Sequence, residues 1–314
     1  MNLLDSEWLE QAMQKCWVLA VSGGRDSMVM LHACVQHLDC ENLVICHVNH
    51  QLRGVESDAD EALVRQVAGD YGIPYEVHHA EVAAVVEEEK KSIELAAREA
   101  RHQAYSSVCE KYKCDGVLLA HHADDQIETV LYNLLRGSSG LKGMQNEVNL
   151  RDKNLNLVRP MLAVRRSEID DYVTKWQVAY REDASNADPF AVRNRMRNEV
   201  LPLLQDVMSR DIGPSVLNSL EHVQQQDSFI DEMVDYPSML DPQGRLYLPS
   251  LREVPDVIQR RIIHRYLTES KISNVSFDLV ESALSLLDIE NPAKINLPRG
   301  MFLRRKEQRI FVSM

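Results

Sequence analysis

The residue types best suited to chemistry stand in three short runs in the first half of the chain. Ser22-Gly23-Gly24-Arg25-Asp26-Ser27 follows an apolar run, Val18 to Val21, and precedes a helical pattern that starts at Met28. A strand that breaks into Ser-Gly-Gly before a helix builds an anion cradle, because glycines admit backbone N–H groups close to a phosphate and the helix N-terminus faces it. No GxxxxGK occurs, so the loop is not a Walker A. Asp26 would repel a phosphate unless Mg²⁺ bridges the two, whereas the Ser22 and Ser27 hydroxyls can donate to phosphate oxygens. A nucleotide handled as its Mg²⁺ complex is expected. The plain alternative is an ordinary strand-to-helix turn with Asp26 or Ser27 in the first helical turn.

The second run, His47-Val48-Asn49-His50-Gln51-Leu52-Arg53-Gly54, leaves another apolar stretch with polar groups where an adenosine would lie against a sheet edge. In the third, His121-His122-Ala123-Asp124-Asp125-Gln126-Ile127-Glu128-Thr129, a helix places Asp125 and Glu128 on one face, three residues apart. Asp124 and Asp125 could instead cap that helix, with Glu128 completing the arrangement. His121 and His122 could be a metal pair, although adjacent residues on an extended segment point to opposite sides. Arg98 and Arg101 sit one helical turn apart, either functional or solvated ion-pair residues. Arg193, Arg195 and Arg197 form a later cluster that could contact phosphate or pair with nearby acids.

These runs need a scaffold that brings them to one place. Apolar strand patterns at Leu43 to Val48, Tyr75 to His78, Gly116 to Ala120 and Leu155 to Val158 alternate with helical patterns over Ser57 to Tyr71, Ser92 to Lys111 and Gln126 to Leu135. Such alternation implies an α/β fold, a doubly wound parallel sheet that binds ligands at the carboxyl ends of its strands. A helical, arginine-rich region follows over about 160–210. After it come helices near Pro214 to Asp231, Pro255 to Ser270 and Phe277 to Leu287, then an alternating hairpin to the end. The expected domains are 1–210 for catalysis, with 160–210 as a helical extension, and 211–314 as a small α+β domain that binds nucleic acid.

The chain has 314 residues and is 45% hydrophobic, enough for a sizeable core divided among domains. No apolar run reaches membrane-spanning length and the N-terminus lacks a basic, then apolar, leader, so a cytoplasmic location is expected. Six cysteines without a CxxC argue against a disulfide framework, a zinc ribbon or an iron–sulfur site. A net charge of −13 weighs against a nucleic-acid partner, yet the stretch from Asn291 onward holds six basic residues and one acidic one, among them Arg304, Arg305 and Lys306.

Taken together, the motifs HVNHQLR, AREAR, HHADDQIET, Arg136-Gly137-Ser138-Ser139-Gly140-Leu141-Lys142-Gly143-Met144 and Arg193-Asn194-Arg195-Met196-Arg197 resemble the tRNA(Ile)-lysidine synthetase family. That family lies within the N-type ATP pyrophosphatases, whose SGGxDS loop matches SGGRDS here. The resemblance covers residue 18 to about 205, and the chain is expected to be a short form of the family. It implies ATP, Mg²⁺ and the co-substrate lysine, with a CAU-anticodon isoleucine tRNA as partner. The implied activity is that of a carbon–nitrogen ligase, which joins lysine to carbon 2 of the wobble cytidine through an adenylated intermediate. Residue by residue it implies Ser22, Gly23, Gly24, Arg25, Asp26, Ser27, His47, Asn49 and Arg53 for the nucleotide, with Asp26 on the metal. Asp125 and Glu128 are implied to hold lysine, with Arg101 anchoring them. Arg193, Arg195, Arg197, Arg304, Arg305 and Lys306 are the expected tRNA contacts. A tRNA-thiolating enzyme of the same superfamily and a non-catalytic nucleotide-binding module stay as alternatives, and a homodimer stays among the open oligomeric states.

Overall fold

In strand β1 (Trp17–Ala20), alternate side chains feed two different cores, which is why helices cover both faces of its sheet. Trp17 and Leu19 pack with Met28, Leu31, Val64 and Ile169, whereas Val18 packs with Tyr105, Val108 and Leu157. Strands β2 (Leu43–Asn49), β3 (Tyr75–His79), β4 (Gly116–Leu118), β5 (Glu147–Leu150) and β6 (Leu155–Val158) complete the sheet, in the order β3-β2-β1-β4-β6-β5. All pairs are parallel except β5 with β6. Burial on both faces gives the inner strands their unbroken apolar runs. The expected doubly wound sheet is therefore present, and its expected strands lie within a residue or two of where the patterns put them. Strand β5 escaped the sequence reading: it is an edge strand in which Glu147 and Asn149 are exposed, so it shows no apolar run.

This structure is a computed structural model and describes residues 2–137, 140–182, 192–272 and 275–313. Ser138 and Ser139 of the RGSSGLKGM motif lie outside the described residues. The chain divides into two units, Met1–Tyr132 with Gly143–Leu217 and Asn133–Lys142 with Asn218–Met314. In the first unit, helices Arg25–His37, Val55–Tyr71 and Arg166–Trp176 contribute to one core, and helix Ile93–Tyr112 lies on the other face. The arginine-rich stretch forms helix Val192–Arg195, a π-helical turn at Met196–Val200 and helix Leu201–Met208.

The second unit has its own core, in which Ile262, Ile263, Leu267, Ala283, Leu303 and Ile310 meet. Its antiparallel sheet contains β7 (Leu246–Tyr247), β8 (Lys294–Asn296), β9 (Phe302–Lys306) and β10 (Arg309–Ser313), in the order β7-β10-β9-β8. Glu307 and Gln308 join β9 to β10, both with φ near +50 to +60°, the two-residue turn whose twist suits a tight hairpin. The alternating C-terminal segment is thus a hairpin with a further strand on either side.

Candidate active site

The SGGRDS loop leaves the carboxyl end of β1. Gly23 has φ +90°, and a Cβ there would stand 3.2 Å from Asp60 Cβ and 3.3 Å from Asp60 O. Only glycine both adopts this turn and lets helix Val55–Tyr71 pass so close. The helix starts at Arg25, three residues earlier than expected, so Asp26 and Ser27 occupy its first turn, where backbone N–H groups have no acceptor inside the helix. Ser27 Oγ donates to Gly24 O at 2.9 Å and accepts from Ser22 N at 3.1 Å, and Gly24 N donates to Ser22 Oγ at 3.3 Å. The serines thereby hold the cradle's shape.

Beside the loop is a cavity of about 290 Å³, lined by Ser22, Asp26, Ser27, Arg98, Arg101, His121 and Arg159 over an apolar floor that includes Cys46, Val48 and Tyr105. Three arginines around a glycine-rich turn suit a polyanion. Arg159 follows β6 and is 92% buried, and it donates through Nε to His121 Nδ1 at 3.3 Å and through Nη1 to Gln145 O at 2.7 Å. Burial lowers the His121 pKa to about 4, so its ring is neutral at pH 7. Because Nδ1 accepts from Arg159, Nε2 carries the ring proton. Arg159 escaped the sequence reading, and His121 and His122, considered there as a metal pair, act here as hydrogen-bonding and charge-linking groups. A basic residue at the carboxyl end of a core strand was the available signal for Arg159.

His122 ties the loop to the carboxylate pair. It is fully buried, its Nδ1 accepts from Asp124 N at 3.2 Å, and its Nε2 lies 3.6 Å from Asp26 Oδ2 and 3.5 Å from Asp125 Oδ2. Burial disfavours its cation, but the carboxylates of Asp26, Asp125 and Asp124 outweigh that and raise its pKa. Burial likewise works to raise Asp26, yet His122 and Arg25 overcome it and hold its carboxyl at about 2. Asp26 is therefore ionised and at the cavity wall, fit to hold a divalent cation carried in by phosphate oxygens. Among the described residues no group of three or more His, Cys, Asp or Glu could cage a metal by itself.

Asp125 and Glu128, both buried, do share one helix face, in helix Ala123–Leu135. Asp125 Oδ2 accepts from His122 N at 3.1 Å, so it caps the helix as well, and its Oδ1 faces Arg193 Nη2 at 3.3 Å and Arg197 Nη2 at 2.9 Å. Glu128 accepts from Arg193 Nε at 3.1 Å and from Arg197 Nε at 2.5 Å. Asp124 caps a different helix, accepting from Arg166 N at 2.7 Å while Arg165 grips it at 3.1 Å. Gln126 binds Met144 through both backbone groups, fixing the loop before β5.

The side chains named for these roles are distributed as follows by the fold. Arg193 and Arg197 engage the carboxylate pair, where Arg101 was expected; Arg101 lines the nucleotide cavity instead. Arg195 points away and pairs with Glu199 at 2.9 Å. His47 and Asn49 face away from the cavity because strand alternation gives Cys46 and Val48 to it, and Arg53, beyond the strand, does not line the cavity. His47 Nδ1 bonds Val21 O at 2.8 Å, Asn49 donates to Asp58 and Glu61, and Arg53 donates to Asp60 at 2.8 Å. Arg25 bridges Asp26 at 3.2 Å and Asp170 at 2.5 Å on helix Arg166–Trp176, so its guanidinium is occupied by two carboxylates. In the second unit, Arg305 donates to the carbonyls of Leu286, Asp288, Ile289 and Asn291, which occupies its guanidinium. Arg304 and Lys306 are exposed.

Residues 4–204 match the PP-loop domain family. The chain is similar to the tRNA(Ile)-lysidine synthase of Geobacter sulfurreducens, 34% identical over 300 residues that cover 92% of this chain and 63% of that protein. It is 32% identical to the tRNA(Ile)-lysidine synthase of Chlorobaculum tepidum over 317 residues, 96% of this chain and 93% of that one. The chain thus spans just under two thirds of the first relative and nearly all of the second. Among solved structures, a U34-tRNA thiolase of Methanococcus maripaludis shares the fold, with a TM-score of 0.53 and 17% identity over 70% of this chain and 77% of that one.

Proposed function

Because the chain belongs to the tRNA(Ile)-lysidine synthase family, we propose that it ligates lysine to carbon 2 of the wobble cytidine of a CAU-anticodon isoleucine tRNA, using ATP. One observation carries the reading: an arginine-lined cavity beside the SGGRDS loop and a buried carboxylate pair meet through His122 at one sheet edge. In the first step the cytidine carbonyl oxygen attacks the α-phosphorus of ATP and pyrophosphate leaves. In the second the lysine ε-amine attacks carbon 2, gives up a proton, and AMP leaves with the oxygen.

The residues fit both steps. The loop amides, Arg98, Arg101 and Arg159 would face the charge that grows on pyrophosphate, and Arg159 is held in place by His121 and Gln145 before it appears. Asp26 would hold Mg²⁺, which when bound neutralises phosphate oxygens. Asp125 and Glu128 would take the lysine ammonium in place of the arginines that face them, and holding the amine beside the adenylate supplies much of the second step. Exposed Arg304 and Lys306 would meet tRNA phosphates. A cytoplasmic location goes with such a substrate, and no helix among the described residues is long and apolar enough to cross a membrane.

Sulfur transfer fits less well. Cys46, the one cysteine lining the cavity, has its thiol pushed up to about 12 by burial, so it is no thiolate nucleophile. Incubation with ATP, a CAU-anticodon isoleucine tRNA and radioactive lysine tests the proposal: label in the tRNA, dependent on ATP, supports it. Sulfur incorporation from a labelled donor in place of lysine would overturn it.

A further inference from the structure

The ends of β1 and β4 remote from the nucleotide cavity hold two thiols in contact. Cys16 immediately precedes β1, and Cys114 stands two residues before β4. Their sulfurs are 2.7 Å apart, although the residues are 98 positions apart in the chain. The backbones around them are clamped: Asp115 N donates to Cys16 O at 2.8 Å, Cys16 N to Asp115 Oδ2 at 2.9 Å, and Cys114 N to Cys109 O at 2.9 Å. The parallel register Trp17↔Gly116 continues the clamp into the sheet. In that register Cys16 lies opposite Asp115, so Cys114 is its diagonal neighbour across the pair. A covalent S–S bond is about 2.05 Å long, so less than about 1 Å of side-chain motion closes it. Both thiols are half-buried, whereas Cys34, Cys46 and Cys109 are buried.

We propose that Cys16 and Cys114 form a reversible disulfide when the protein meets a peroxide. Cys16, having lost its proton to water, attacks a peroxide oxygen and becomes a sulfenic acid as the O–O bond breaks, since burial pushes the Cys114 thiol up. The second thiol then attacks that sulfur, and water leaves. Two thiols and one hydrogen peroxide thus give one disulfide and two waters, with two electrons passing to the peroxide. Because the pair lies at the amino ends of the strands, the bond forms without moving the loop or the carboxylates at their carboxyl ends. Dithiothreitol reverses it by thiol exchange.

The test uses the whole protein, hydrogen peroxide at a small molar excess, and mass spectrometry of the intact and non-reduced, digested chain. Wild type is expected to lose the mass of two hydrogens, to lose two of its six thiols, and to yield one peptide pair joined through Cys16 and Cys114. Dithiothreitol restores all six, and Cys16→Ser and Cys114→Ser each abolish the loss. Oxygen added at Cys16 or Cys114 in place of the link, a link through Cys109, no change at all, or the same loss in either variant would each overturn the proposal.

Discussion

Arg197 donates through Nε to Glu128 Oε1 at 2.5 Å, which puts an arginine from the RNRMR cluster onto a carboxylate that is 98% buried. A charge so removed from water is tolerated because two guanidiniums face it, that of Arg197 and the more exposed one of Arg193. Removing Arg197 should therefore cost far more than removing an arginine of the same cluster that faces solvent. Arg197→Ala, which leaves Glu128 only Arg193, should lower stability by about 2 kcal/mol in urea denaturation. Arg195→Ala, which breaks only the exposed pair with Glu199, should be indistinguishable from wild type. Equal midpoints for the two variants would mean that Glu128 does not depend on Arg197.

The adenylation step rests on an ionised carboxylate beside the cradle, and Asp26 is held at about 2, ionised throughout the physiological range. Asp26→Asn keeps the shape but removes the charge that would hold Mg²⁺. Pyrophosphate release should fall by about a hundredfold or more, the size seen when one charge-stabilising group is lost. Because His122 and Arg25 hold the Asp26 carboxyl below its ordinary value, the variant should also melt below wild type, so the rates are compared at a temperature where both proteins are folded. A variant that releases pyrophosphate at the wild-type rate would end the metal role.

Lysine selection gives an independent readout. Asp125→Asn leaves an oxygen for the bond from His122 N, so the helix cap survives while one negative charge facing the ammonium disappears. Loss of one such charge costs about 2 kcal/mol, roughly a thirtyfold rise in the lysine concentration needed for half-maximal rate. The KM for ATP should hold. An unchanged lysine dependence, with only the melting temperature lowered, would leave Asp125 as a cap alone.

What could be read in the residues and what could not divides along sequence distance. The SGGRDS turn, the shared face of Asp125 and Glu128, and the order of strand and helix are local patterns, set by glycine geometry and by side-chain period. They are where the patterns put them, except that both helices start three residues earlier, at Arg25 and Ala123. Which guanidinium meets which carboxylate is not local. Arg193 and Arg197 reach residues 65 to 72 positions away, and a charged cluster looks the same whether it faces phosphate or a buried acid. The polar residues His47 and Asn49 were misplaced for another reason: on a strand buried on both faces, hydrophobic content no longer tells which side faces the ligand, and alternation gave the cavity Cys46 and Val48.

The second unit should show an acid-sensitive contact. Asp241 accepts from Arg245 Nε and from Arg309 Nε, each at 2.8 Å, and the Arg245 bond, which outweighs burial, together with Arg309 holds its carboxyl well below 3.8. A carboxyl depressed in the folded state contributes stability that is complete above its unfolded value and is lost as pH falls through the folded value. Asp241→Asn should therefore unfold at lower urea than wild type at pH 7, and the gap should narrow only well below pH 4. If the two proteins differ equally at pH 7 and pH 2, the ion pairs are not the source.

The last expectation separates two arginines that are neighbours in sequence. On β9, Phe302, Arg304 and Lys306 alternate to the outer face, where Lys294 and Arg304 lie 3.4 and 5.5 Å from the Phe302 ring centre. Arg305 turns the other way and ties down the carbonyls that follow the turn Ser285–Leu287. Each lysine or arginine on a phosphate releases counterions, so the slope of log affinity against log salt changes by about 0.7 to 0.9 for every phosphate left without its cation. Arg304→Ala with Lys306→Ala should weaken tRNA binding and flatten that slope by about 1.5, with the affinity for ATP unchanged. Arg305→Ala should instead lower the melting temperature, because four carbonyls lose their donor, and leave the slope as it is. A titration in which Arg305→Ala flattens the slope while the outer-face pair does not would place the tRNA on the opposite side of this sheet, or nowhere on it.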